Sequence, residues 1–193
     1  MNFFFTFKQN TTIKRICIKQ FIGKNGHLTL QTARAGILAG FLIYGLFGII
    51  DPFMIPEYYK TVWIIRFGIV TPAIGLVYLL SFTKNFTNYA KPMLMALLFL
   101  GELGILAMIY ISEPHKAAFL AYYAGLILVI QWAGFIFRLS FSESIFYFVS
   151  IFILYNIIAI YKQNILSFDR DSLEYSWYIG NNFFLVANGL LAL

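Results

Sequence analysis

Arg66 stands about one turn inside an apolar segment that runs from Val62 to Phe82 and holds no other charge. An arginine at membrane depth costs ~2.5–3.5 kcal/mol on insertion scales, and more on an isolated helix. It therefore needs a counter-charge, a polar cavity or a route to the surface. Two acids are placed to answer it: Asp51 at the end of the preceding apolar segment and Glu102 inside the following one. A guanidinium is a planar fork of donors and can serve two carboxylates at once. Asp51, Arg66 and Glu102 are thus expected to form a buried polar cluster that locks three helices together and contributes to a ligand or sensing site. The alternatives are that Arg66 snorkels to the outer interface, or that the cluster only glues helices.

Depth supports the cluster. Counted from the outer ends of antiparallel neighbours, Glu102 lies roughly five residues deeper than Arg66, about 7 Å at the helical rise. An extended arginine covers most of that, and Asp51 lies slightly above it. The guanidinium is expected between one acid above and one below.

Other polar residues in apolar runs are Tyr122, Tyr123, Gln131, Asn156, Asn181 and Asn182. They form a possible interior polar lining, or they make interhelical hydrogen bonds worth ~0.6 kcal/mol each. No nucleophile–base–acid set, glycine-rich phosphate loop or HExxH pattern is present, so no catalytic residue is expected in this chain. Cys17 is the single cysteine, and His27 and His115 stand alone. No metal site and no cofactor are expected.

The elements that must position these groups follow from composition. Of the 193 residues 61% are hydrophobic and 11% charged, and the mean hydropathy is +0.78. Soluble domains carry about 25% charged residues. The chain is read as an all-α, polytopic integral membrane protein. Six apolar runs, at about 32–50, 62–82, 93–111, 117–137, 145–161 and 177–193, are each near the ~20 residues that cross a bilayer. They form a transmembrane domain over 31–193, after a basic, amphipathic cytoplasmic segment over 1–30. Gly36 and Gly40 have the GxxxG spacing of close helix packing. Pro72, inside the second run, is expected to kink it. Lys91-Pro92 is read as closing the loop before the third run.

The net charge of +6 reports topology rather than nucleic-acid binding. With the N-terminus inside, nine basic residues fall on the inner side (Lys8, Lys14, Arg15, Lys19, Lys24, Arg34, Lys84, Lys91, Arg138) and four outside (Lys60, Lys116, Lys162, Arg170). This positive-inside bias predicts that both ends are cytoplasmic. The final residues, Gly189 to Leu193, remain apolar. The expectation is that the sequence stops within its last helix, ahead of a cytoplasmic output domain.

Five stretches carry a resemblance. They are Asp51-Pro52; Ile65-Arg66-Phe67-Gly68-Ile69-Val70-Thr71-Pro72; Tyr122-Tyr123-Ala124-Gly125-Leu126; Arg138-Leu139-Ser140-Phe141; and Asn181-Asn182-Phe183-Phe184-Leu185. Their order resembles the N-terminal six-helix membrane domain of bacterial class III adenylate/guanylate cyclases and related membrane sensors. Similar membrane domains in that family also precede diguanylate cyclase or histidine kinase outputs. The resemblance covers about residues 35–193. It implies a membrane anchor and sensor module that regulates cyclic-nucleotide synthesis by a domain outside this sequence. The cyclase catalytic residues have no counterpart here. The expected setting is the bacterial inner membrane, with the lipid bilayer, a second copy of the chain and an unknown small ligand or lipid as partners. Two other classes stay open: a small transporter or proton-coupled carrier using Arg66 and Glu102, and a structural membrane scaffold.

Overall fold

The computed structural model describes residues 30–113 and 122–193, and all the regular structure among them is helical. Helix α1 (Leu30–Leu46) tightens into a 3-10 turn at Phe47–Ile49 and is followed by a one-turn helix, Asp51–Met54. Then come α2 (Tyr59–Leu80), α3 (Phe86–Ile111), α4 (Tyr123–Ile136), α5 (Phe141–Lys162) and α6 (Leu173–Leu191). Four stretches, Leu30–Ile49, α2, α3 and α5, are long and apolar enough to cross a membrane. Helix α4 is shorter in the described residues. Helix α6 has the length, but its three asparagines and Glu174 lower its hydropathy. The expected amphipathic segment, Cys17, His27 and His115 lie outside the described residues.

Five helices begin before the apolar runs that announced them, α1 at Leu30 rather than residue 32 among them. Helix α2 starts at Tyr59 rather than residue 62, α3 at Phe86 rather than 93, α5 at Phe141 rather than 145, and α6 at Leu173 rather than 177. Hydropathy marks only the apolar stretch, whereas at α5 and α6 the helix start is set by a capping residue that precedes it. Ser140 and Glu143 form a reciprocal capping box at the start of α5, and the Ser172 hydroxyl accepts from the Tyr175 amide at 3.2 Å at the start of α6. Such caps satisfy amides that have no intrahelical partner. Lys91-Pro92 closes no loop, since Pro92 lies inside α3. The carbonyl it leaves without a helical partner is that of Asn88, an exposed residue where other polar groups can serve it.

Helix α3 is the central element. Its apolar window is 56% buried, against 22%, 22% and 28% for the other three long spans. Helices α2, α4 and α5 pack on it, α1 lies along α2, and α6 against α4 and α5. At the end of the bundle away from Asp51, Arg34 of α1 donates through Nη2 to the Ser81 carbonyl at 2.6 Å and stacks 4.3 Å over Phe82. A cation there suits the negative end of α2. Nearby Lys91 pairs with Glu143 at 2.8 Å, joining the starts of α3 and α5.

Three helices contain π-helical stretches: Ile64–Val70 in α2, Trp132–Ile136 in α4 and Ile158–Lys162 in α5. The first runs up to Thr71, immediately before Pro72, and the Thr71 amide donates to the Arg66 carbonyl five residues back. Proline removes an amide from the helical ladder, and local π adjustment re-satisfies freed carbonyls.

Candidate functional site

Arg66 is 3% exposed and Asp51 0%. The two form a bidentate ion pair, Nε to Oδ2 at 2.7 Å and Nη2 to Oδ1 at 2.8 Å. Paired parallel bonds of this kind are both strong and directional. Around the pair, Arg66 Nη1 donates to the Tyr44 carbonyl at 2.9 Å, its Nη2 reaches Met108 Sδ at 3.5 Å, and its guanidinium carbon lies 4.8 Å from the Tyr44 ring centroid. The Tyr122 hydroxyl donates to Asp51 Oδ1 at 2.9 Å. One charge pair therefore joins α1, the Asp51 turn, α2, α3 and the start of α4. Removing the Tyr122 hydroxyl alone takes away one charge-assisted bond. Tyr122→Phe is expected to cost about 1.5–3 kcal/mol, read as a lower melting temperature in detergent with the fold retained.

The expected trio does not close. Glu102 is 0% exposed, and the Tyr147 hydroxyl donates to its Oε1 at 3.0 Å. Glu102 Oε2 has no hydrogen-bond partner among the described residues. The reason is direction. Arg66 extends toward the Asp51 turn and meets α3 at Met108, six residues beyond Glu102, about 9 Å along the helix. The guanidinium expected between one acid above and one below is instead held at the Asp51 end, out of reach of Glu102. Sequence reasoning missed Tyr147 as the partner of Glu102, because a tyrosine within an apolar run has no spacing that marks it. It also missed Tyr44 and Met108.

Of the possible interior lining residues, Tyr122 lines a cavity and the others with recorded bonds serve helix contacts. Gln131 Nε2 donates to Asn188 Oδ1 at 2.7 Å, joining α4 and α6. Asn156 Nδ2 donates to Asn182 Oδ1 at 2.8 Å, and the Tyr178 hydroxyl donates to Asn156 Oδ1 at 2.7 Å. Asn181 Nδ2 donates to the Tyr155 hydroxyl at 3.1 Å. These bonds staple α5 to α6. Tyr123 is half-buried against the core.

The cavity, ≈ 110 Å³, lies between α1, α2, α3 and α4. Arg66, Tyr44 and Tyr122 line it together with Gly36, Trp132 and Phe137, among mostly aliphatic neighbours. Gly36 also makes the close approach expected of GxxxG spacing, since a Cβ there would collide with Ile136 and come within 3.1 Å of Phe137. Gly40 does not, its nearest neighbour being Trp132 Nε1 at 4.0 Å. Among the described residues no group of His, Cys, Asp and Glu could hold a metal ion. No family model, curated protein or solved structure matches the chain.

Proposed function

We propose that this chain is the membrane-embedded sensor and anchor module of a signal-transduction protein, with no catalysis of its own. The observation that carries the reading is that Arg66, whose buried pair with Asp51 ties the helices together, also lines the cavity. Occupancy of the cavity then acts on the contact that sets helix packing, and a two-state response needs such a differential contact. The proposal includes six spans, both ends cytoplasmic, an inner-membrane location, a homodimer, and a nucleotide cyclase as the regulated output. In the full-length protein, Arg66→Lys is expected to change basal cyclic-nucleotide output, because a point charge cannot reproduce the bidentate fork. The reading frame beyond residue 193 is the first check: a signalling helix and cyclase domain support the proposal, and an early stop codon sinks the cyclase part.

A second reading, a proton-coupled carrier, has one observation in its favour. Glu102 is a carboxyl buried in the central span with one oxygen unpartnered among the described residues, and such groups mark proton relays in transporters. Proton flux in proteoliposomes that disappears in Glu102→Gln distinguishes it.

Topology is tested by single-cysteine labelling after Cys17→Ser. A membrane-impermeant reagent on intact cells is expected to label Ser167→Cys and to spare Thr12→Cys. The reverse pattern overturns the charge-based orientation.

A further inference from the structure

We propose that the cavity between α1, α2, α3 and α4 binds an uncharged, single-chain lipid-like molecule bearing one hydrogen-bond-accepting oxygen, a ketone or ether, placed at Arg66 with its chain directed toward Trp132. The signalling use of such a ligand rests on the sensor reading; its binding does not.

The room is visible in its volume and from the residue that faces it. The cavity is several times the ~10–15 Å³ that one water needs. Gly101 lines it and is buried, yet a Cβ there would meet nothing within 4 Å. A buried glycine in a close-packed core ordinarily has a neighbour where its side chain would be. Water is a poor occupant, because each buried water needs two to four polar partners, and the walls away from the Arg66 end are apolar, aliphatic and aromatic. The lining runs from Tyr44 to Gly36 along α1, about 12 Å at the helical rise, which suits a chain rather than a compact polar molecule.

The Arg66 end sets the head group. A guanidinium has five N–H donors. Asp51 takes two, the Tyr44 carbonyl takes one, and a fourth meets only the Met108 thioether at 3.5 Å. Donor capacity is left for one further acceptor. The charge of Arg66 is already matched by Asp51, so an anionic head has to displace a bidentate carboxylate before it gains anything. A plain alkane leaves the donors unanswered. An uncharged acceptor avoids both penalties.

The ester carbonyl and acyl chain of a bilayer phospholipid share this chemistry, so the test separates the two sources. The chain has three tryptophans. With Trp63→Phe and Trp177→Phe, Trp132 becomes the sole reporter at the far end of the cavity. The protein in dioleoylphosphatidylcholine nanodiscs is titrated with a long-chain methyl ketone tipped with bromine, a contact quencher. Saturable quenching is expected, with affinity about tenfold weaker for the bromoalkane and for the bromo-carboxylate of equal length, the worth of one good hydrogen bond. Gly101→Leu, which fills the cavity, is expected to abolish saturation. Gly45→Leu, whose Cβ also meets nothing within 4 Å but lies off the cavity, is expected to retain it. If Gly101→Leu does not fold, Gly101→Ala is expected to weaken binding several-fold. Non-saturable quenching, equal quenching in the Gly101 variants, or tightest binding of the carboxylate overturns the proposal. So does quenching by a brominated phosphatidylcholine host that the ketone fails to relieve, since a bilayer lipid is then the occupant. Ketone binding without any change in cyclic-nucleotide output leaves this inference standing and sinks the sensor reading instead.

Discussion

Arg66→Ala lowers the stability of the helix bundle by about 3–5 kcal/mol, because it leaves the Asp51 carboxylate buried without its counter-charge. Asp51→Ala has a similar effect from the other side of the pair. The double variant loses less than the two single losses added together, since neither orphaned charge is then present. Thermal unfolding in a mild detergent reads all three. A double loss equal to the sum means that the pair contributes no coupling, and the bidentate geometry then has no energetic meaning. The same cycle on Arg66 and Glu102 comes out near additive, because the two share no partner in the structure. That contrast separates the two acids without requiring any ligand.

Gly104→Val destabilises the bundle by about 1–3 kcal/mol, the usual range for overpacking. A Cβ at Gly104 would lie 2.7 Å from the Tyr44 hydroxyl and 2.8 Å from Val70 Cγ2. Side chains of two neighbouring helices must shift to admit it, and one is the tyrosine that covers Arg66. Gly101→Ala, one turn earlier on the same helix, goes the other way. Its Cβ enters open space, and replacing a mid-helix glycine gains about 0.5–1 kcal/mol. Opposite signs at residues three apart are read directly from melting temperatures. A stable Gly104→Val variant shows that the α1–α2–α3 contact is looser than described.

How much of this was legible beforehand depends on the kind of information a residue type carries. Arg66 announced itself, because a charge in an apolar run has to find a partner, and Asp51 stood next to it in depth. Depth is one coordinate, and the direction of a side chain around its helix is another. Nothing in the spacing said that Arg66 extends toward the Asp51 turn, so Glu102 looked equally available. The glycines show the same limit. Gly36 and Gly101 look alike in sequence, yet one admits a neighbouring helix and the other faces empty space. A cavity is a property of four helices together and leaves no local pattern. The all-helical character and four of the six expected spans followed from the apolar runs, while the starts of α5 and α6 lay outside the hydropathy signal, at Ser140 and Ser172.

A π-helical stretch is a helix carrying one residue more than its length requires. In α2 that surplus falls between Ile64 and Val70, around Arg66 itself. At 3.6 residues per turn, one residue corresponds to a rotation of about 100°. A single-residue deletion there draws on that surplus: the ladder returns to the ordinary α pattern and the two halves of α2 keep their faces, so Ile74 stays in the core. The same deletion between Thr71 and Leu80, where the helix is regular, has no surplus to draw on and turns everything beyond it by that full angle. Among related chains, a one-residue gap is expected at the first place and not at the second.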